Sequence, residues 1–496
     1  MASDQCIDDF VTLQRGNTYK SALLDQPGPY LLGLASIARE GGFRDDKLRT
    51  YGGHTSEKLL VYPGDIYVSL KDVTQSGDLL GSVARVPDRI SLGRMTQDTV
   101  KLVFKENDAP KNYLYWVLRS PQYKAYCRAR AMGTTNLSLS REDFLSYPVP
   151  KLTPARENLV AVLEAVEEKV TLNHQINQTL EEMAQALFKS WFVDFEPVKA
   201  KIAARQRWQA LQPENEPASP VCYAAEFDQS PALGDLESYM NRAAMQVISG
   251  KTVDKLDALR VADPKRYNEL YETAALFPSA MQASELGEIP EGWEVTPFDK
   301  LAKLDSSSIK PSDNPEKIWE HYSIPAFDAG KAPALDAGIS IKSGKYKVKK
   351  TSVLISKLNP GTSRVWWPEP LDNESAICST EFMQFVPKSE ELRAFIAGVI
   401  SSSPFQEGVI ASVTGSTGSR QRAQPKQVAR MDVVAPCEAL ALRYARQAQP
   451  LFTAQAKNIN QSQKLAELRD TLLTKLLSGE LTISDAEARM AEVADA

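Results

Sequence analysis

Between residues 156 and 192 one set of positions recurs in alternating steps of four and three. Leu159, Leu163, Val166, Val170, Asn173, Asn177, Leu180, Ala184, Leu187 and Trp191 share a single phase of a seven-residue repeat. That period predicts a long helix with one stripe turned towards a partner helix, as in a coiled coil. No Gly or Pro falls inside the stretch. Pro154 stands just before it, and Pro197 follows Phe195-Glu196, where the helix is expected to close. At about 1.5 Å per residue such a rod is roughly 55 Å long and needs something to pack on. A core helix of a bundle would account for the apolar positions. It would not account for Asn173 and Asn177, because amides in a seam cost stability and serve to fix register and partner.

The partner is written in the same chain. Residues 458–468 (NINQSQKLAEL) restate residues 173–183 (NHQINQTLEEM), with Leu472-Leu473 beneath Leu187-Phe188. A second seam through Leu465, Leu472 and Leu476 follows. Other matches recur at nearly the same interval: the strand pattern 352–356 with 65–69, Ser403-Pro404 with Ser120-Pro121, Gly415-Ser416-Thr417-Gly418 with Gly133-Thr134-Thr135-Asn136, and Ala435-Pro436 with Val149-Pro150. Each match is weak alone, but together they predict a fold built twice.

The expected organisation has α/β (α+β) character. A first globular unit spans 1–150, with strands at 65–70 and 99–104 and helical pieces over 111–130 broken at Ser120-Pro121. A coiled-coil helix covers 151–196 and a helical connector 197–285. A second globular unit covers 286–436, opened by Gly287-Glu288-Ile289-Pro290-Glu291-Gly292-Trp293. A second coiled-coil helix covers 437–481 and an acidic tail 482–496.

Composition narrows the class without deciding it. The chain has 496 residues, 43% hydrophobic and 24% charged, which is ordinary for a water-soluble protein. No apolar run is long enough for a membrane span, and the acidic, polar start is unlike a signal peptide, so a cytoplasmic location is expected. Five scattered cysteines and three histidines indicate neither a disulfide framework nor a metal site. Phosphate-binding glycine loops, nucleophile elbows and zinc-protease motifs are absent. Glu167-Glu168-Lys169 resembles part of a nuclease set, but charge pairs commonly flank a seam. Charge segregation is more informative. Acids outnumber bases 63 to 58, yet residues 109–141 hold no Asp or Glu while carrying Lys111, Arg119, Lys124, Arg128, Arg130 and Arg141 among Tyr113, Tyr115, Trp116, Tyr123 and Tyr126. Residues 408–431 repeat this with Arg420, Arg422, Lys426 and Arg430. Twin acid-free windows at equivalent places predict two polyanion-binding surfaces.

Three stretches then carry a family resemblance. Residues 172–198 (LNHQINQTLEEMAQALFKSWFVDFEPV) resemble the central conserved region of the specificity subunits of type I restriction-modification systems, residues 284–295 (SELGEIPEGWEV) the start of the second recognition domain, and residues 465–481 the distal conserved region. The first unit lacks the Ile-Pro-Glu-Gly-Trp opening. The resemblance implies tandem target recognition domains separated by long helices in an antiparallel coiled coil. It implies a non-catalytic chain that reads a bipartite double-stranded DNA target for adenine methylation and restriction in host defence. Two methyltransferase subunits and two restriction/translocation subunits are the implied partners. S-adenosylmethionine, ATP and magnesium would be bound by them, and no cofactor is expected here. Candidate DNA-binding residues are Lys71, Arg128, Arg130, Thr134, Thr135, Asn136, Ser138 and Arg141 in the first unit, and Lys357, Ser416, Thr417, Ser419, Arg420, Gln421 and Arg422 in the second. The alternative is a catalytic DNA methyltransferase or nuclease with a dimerisation coiled coil.

If the helices set the distance between two readers, one heptad inserted into both, after Gln178 and after Gln463, keeps the seam in phase and adds about 10 Å to each. The spacer in the methylated target should then lengthen by roughly 3 base pairs while both half-sequences stay the same. Mapping methylated sites for the inserted variant tests this, and an unchanged spacer in an active complex refutes it.

Overall fold

A computed structural model of the chain describes residues 5–39, 41–45, 48–72, 77–134, 136–211, 235–413 and 421–478, with side chains up to 475. The chain divides into two compact units, residues 1–172 with 461–496, and residues 173–460. Each long helix, Pro154–Phe192 and Glu438–Ser478, contributes one part to each unit.

In the first unit a four-stranded antiparallel sheet runs in the order Val11–Arg15, Thr99–Phe104, Ile66–Ser69, Val83–Arg85. Ile66–Ser69 is buried at every position, which is why Ile66, Tyr67 and Val68 are consecutively large and apolar where an alternating pattern would mark a half-exposed strand. A smaller sheet pairs Tyr30–Leu32 in parallel with Gly93–Met95, which pairs antiparallel with Leu60–Val61. The helices Lys111–Val117 and Pro121–Ala129 break at Ser120, whose hydroxyl accepts the Tyr123 N–H at 3.3 Å while Pro121 takes the first helical position. Gln5–Cys6 pairs with Pro148–Val149 just ahead of the long helix.

The second unit repeats this plan. Its four-stranded sheet has the equivalent order Ala302–Asp305, Phe382–Pro387, Val353–Ser356, Val365–Trp366. The parallel pair Ile318–Tyr322 and Ala376–Cys378 lies in a sheet grown to five strands. Arg393–Ser401 and Ser403–Ala411 correspond to the two helices of the first unit, and Glu294–Pro297 pairs with Asp432–Ala435 as the terminal strands do there. This unit also holds the helices Glu196–Leu211, Leu236–Ser249, Val253–Ala262 and Pro264–Ala275. Lys201 is buried among them, its ammonium donating to the Phe277 carbonyl at 2.6 Å, and burial lowers its pKa to about 8. The stretch opening with Gly287 forms the hairpin Met281–Ser284 with Gly287–Pro290, and it leaves Trp293 buried against Phe192 and Phe195.

The long helices pair within each unit. In the first, Leu159, Val160, Leu163 and Val166 share a core with Leu465, Leu468, Leu472 and Leu473. In the second, the paired residues run 173 with 458, 177 with 455 and 184 with 444, so the two segments are antiparallel. Asn173 is 1% exposed, and its amide donates to the Asn458 carbonyl at 3.4 Å. Asn177 donates to Gln455 O at 3.4 Å, Gln455 donates back to Asn177 O at 3.2 Å, and Asn458 donates to Asn177 Oδ1 at 2.9 Å. One buried amide, Asn173, and three partly buried ones, Asn177, Gln455 and Asn458, therefore satisfy one another at this seam in one register.

Two features depart from the sequence reading. Val170, Leu180 and Leu187 are only partly buried, while Val160, Phe188 and Phe192 are buried. A helix of 3.6 residues per turn drifts across a strict seven-residue stripe, and an extra step of four after Ala184 brings Phe188 inward. There Phe188 lies against Gly398, where any side chain would meet its ring at 2.2 Å. The helix also stops at Phe192, not at Glu196: Phe195 turns back with φ of 55° and a new helix begins at Glu196. The second long helix runs through Pro450. The Leu476 side chain, residues 212–234 of the connector and the acidic tail lie outside the described residues. Among the described residues no helix is long and apolar enough to cross a membrane.

Asn458→Ala removes the donor to Asn177 Oδ1 and should cost about 1–3 kcal/mol, whereas the double change Asn177→Leu with Asn458→Leu should cost less than the sum of the two single changes. Denaturant unfolding of the wild type, Asn458→Ala, the two single leucine variants and their double measures this, and strict additivity would show that the amides do not act as a set.

Candidate nucleic-acid interface

The first basic window folds into one edge of its unit. Helix Pro121–Ala129 delivers Arg128 and Arg130 at its C-terminal end, and the chain then runs to Met132. The Met132 N–H donates to Ser138 O and the Ser138 N–H to Met132 O, both at 2.9 Å. Gly133 has φ of 103° and lies so near the Asn136 carbonyl that a Cβ would sit 2.3 Å from its oxygen. Ser138 pairs in turn with Lys71, which brings residues far apart in sequence side by side. Ser140 then caps helix Arg141–Leu145, accepting the Asp143 N–H at 2.9 Å. Arg128, Thr134, Asn136 and Arg141 are exposed. Arg128 and Arg141 have no ion-pair partner among the described residues. Arg130 is held: its guanidinium lies 3.6 Å from the centre of the Tyr126 ring and 3.7 Å from Asp143. Lys71 stands 3.5 Å from Asp98.

The second unit builds the same edge from different side chains. Ala423 N donates to Lys357 O at 2.9 Å, Asn359 N to Gln421 O at 3.0 Å, and Leu358 bridges Arg422. The Ser356 hydroxyl donates to Leu358 O at 3.0 Å, as the Ser69 hydroxyl does to Lys71 O at 2.5 Å. By that register Leu358, and not Lys357, is the counterpart of Lys71; Lys357 matches Leu70, whose carbonyl accepts the Leu139 N–H. Arg422 is exposed but fixed, with Nε and Nη2 donating to Glu381 at 3.1 Å, an interaction that raises its pKa further. Lys426 and Arg430 follow it in the chain, exposed and without an ion-pair partner among the described residues. Thr135, Ser416, Thr417, Ser419 and Arg420 lie outside the described residues.

Part of the first window faces inward. Tyr113, Tyr115, Trp116 and Tyr123 are core residues. Arg119 is 4% exposed and pairs with Glu167 at 3.0 Å, stacked on Trp116 at 4.6 Å. Arg85 grips Glu164 at 2.9 Å, and the Trp116 indole donates to the same carboxylate at 2.6 Å. Glu167 also faces Arg469 at 3.7 Å, so the carboxylate of the nuclease-like triplet joins the globular part of this unit to its helices. Burial raises the thiol of Cys127 to about 11 and that of Cys378 to about 12, leaving both protonated and poor nucleophiles at neutral pH. Among the described residues no group of three or more His, Cys, Asp or Glu could hold a metal ion.

No protein-family model matches the chain. It is 26% identical over 373 residues to the type I restriction enzyme HindI specificity subunit of Haemophilus influenzae, covering 72% of this chain and 74% of that protein. It is 21% identical over 415 residues to the type I restriction enzyme MjaIX specificity subunit of Methanocaldococcus jannaschii, covering 79% and 73%. Among solved structures, the S subunit of a type I restriction-modification system from M. genitalium aligns over 95% of each chain at 13% identity with a TM-score of 0.46. The HsdS subunit from Thermoanaerobacter tengcongensis aligns over 96% of each at 12% identity with a TM-score of 0.27.

The four arginines should separate on DNA. Arg128→Ala and Arg141→Ala should weaken binding to every sequence and lower the salt slope by about 1 each, while Arg130→Ala should relax base preference in one half-site and Arg422→Ala in the other. Titrations at several salt concentrations against a panel of duplexes read both effects. A pure salt-slope change for all four would make Arg130 and Arg422 phosphate anchors.

Proposed function

We propose that this chain, a homologue of the type I restriction enzyme specificity subunits, is the DNA-recognition subunit of a restriction-modification assembly. It reads a target in two parts and directs adenine methylation and restriction by partner subunits. The observation that carries this reading is the duplication: one α/β fold occurs twice, and each copy presents an exposed basic edge at the same place, in a chain whose net charge is −5. Phosphates attract such edges, and side chains held on them reach the bases.

Residues 1–150 and 286–436 are the two recognition domains, and residues 151–196 and 437–481 are the coiled-coil helices that follow each of them in the chain. Two methyltransferase subunits and two restriction/translocation subunits complete the assembly. S-adenosylmethionine, ATP and magnesium belong to those partners, and this chain supplies recognition without chemistry. Glu167, the carboxylate of the nuclease-like triplet, is taken up by Arg119 and Arg469, which favours that division over a nuclease.

The chain expressed alone should be poorly soluble and should transfer no methyl group to DNA from S-adenosylmethionine. Expressed with its methylating partner it should become soluble and support methylation at a split site. Methyl transfer by the pure chain would refute the reading.

A further inference from the structure

We propose that Met132 is the first unit's apolar base reader, in contact with the 5-methyl group of a thymine in the major groove. This rests on the recognition function above and names the chemistry of one contact within it.

Backbone pairing fixes the placement. Met132 stands opposite Ser138, and Ser138 stands opposite Lys71. Residues directly opposite across antiparallel strands project to the same face, so Met132, Ser138 and Lys71 form one row. The other face of this small ribbon points inward: Asp72 is fully buried and Leu137 packs on the core. The row therefore looks outward, and Met132 is 53% exposed at its end.

The surroundings say what the thioether meets. Arg128 and Arg130 precede it in the chain, Thr134 and Asn136 follow it, and Lys71 ends the row. A large apolar side chain amid cations, hydroxyls and an amide covers no core of its own chain. Held against a duplex by the flanking cations, it faces base edges. In the major groove those edges offer hydrogen-bonding groups and one apolar group, the thymine methyl. An unbranched, polarizable side chain suits such a contact, because it can settle on a methyl without demanding a single geometry.

The test uses the chain bound to its methylating partner and replaces each thymine of both half-sites, one at a time, with deoxyuridine, which removes only the methyl. The wild-type complex should lose about fourfold in affinity at one thymine of one half-site, the value of about 0.8 kcal/mol for one buried methyl. Met132→Ala should bind the thymine and deoxyuridine duplexes alike at that position, and Met132→Leu should keep the discrimination. Lys71→Ala should weaken all duplexes equally. An unchanged unfolding midpoint for Met132→Ala confirms that the fold is intact. The proposal falls if the wild-type complex is indifferent to every replacement, or if Met132→Ala discriminates as the wild type does. A wild-type complex without preference among unrelated duplexes would overturn the recognition function, and this contact with it.

Discussion

Two helices that must lie antiparallel in one register are the constraint on which the rest depends, and amides in their seam impose it. Leucine contacts alone are tolerant, because a slip along an apolar seam exchanges one aliphatic neighbour for another. Asn173, Asn177, Gln455 and Asn458 are not tolerant: a slip leaves amide groups without partners inside the second unit. In the first unit the same helices meet through Leu163, Val166, Leu465 and Leu472, with Glu167 facing Arg469 at the margin. Carboxylates on the helix then fix the globular part. Arg85 and Arg119 reach Glu164 and Glu167 from two different elements, so the helix positions the sheet by directed, charge-assisted bonds as well as by burial.

Duplication gives two edges of one design with unlike chemistry. The serine that hooks the strand end is kept as Ser69 and Ser356, and so is the pairing beyond it, but Lys71 in one copy is Leu358 in the other. The smaller sheet has three strands in one copy and five in the other. A scaffold preserved in its hydrogen bonds and varied in its outward side chains is what the proposed reading of two different half-sequences requires.

The fold was largely legible in the sequence because its signals are local. The stripe from Leu159 to Trp191, the Ser120-Pro121 break and the buried run before Lys71 each follow from periodicity or from backbone restriction. What escaped depends on tertiary contact. Nothing near Arg119 announces its burial; its partner Glu167 lies 48 residues away. The aromatic residues from Tyr113 to Tyr123 read equally well as stacking platforms or as core, and the sheet beneath them decided for core. Glu381, 41 residues before Arg422, could not be connected to it from the sequence, whereas Tyr126 and Arg130 stand four apart and were within reach of helical spacing. The end of the first long helix was placed too late because Phe195 takes a left-handed conformation that its residue type does not advertise.

These pairings also sort the basic residues by what they can do. A free arginine on a surface adapts to a phosphate wherever the backbone offers one, which is sufficient for attraction and insufficient for discrimination. A reader must hold its donors in place before the base arrives, since ordering a long side chain on binding subtracts from the preference it is meant to express. Arg130 between Tyr126 and Asp143, and Arg422 on Glu381, meet that condition, each held by an acid beside an otherwise basic edge. Those acids weaken attraction to a polyanion. The roles proposed above follow that difference: Arg130 and Arg422 each have an acid beside them, whereas Arg128, Arg141, Lys426 and Arg430 have no ion-pair partner among the described residues.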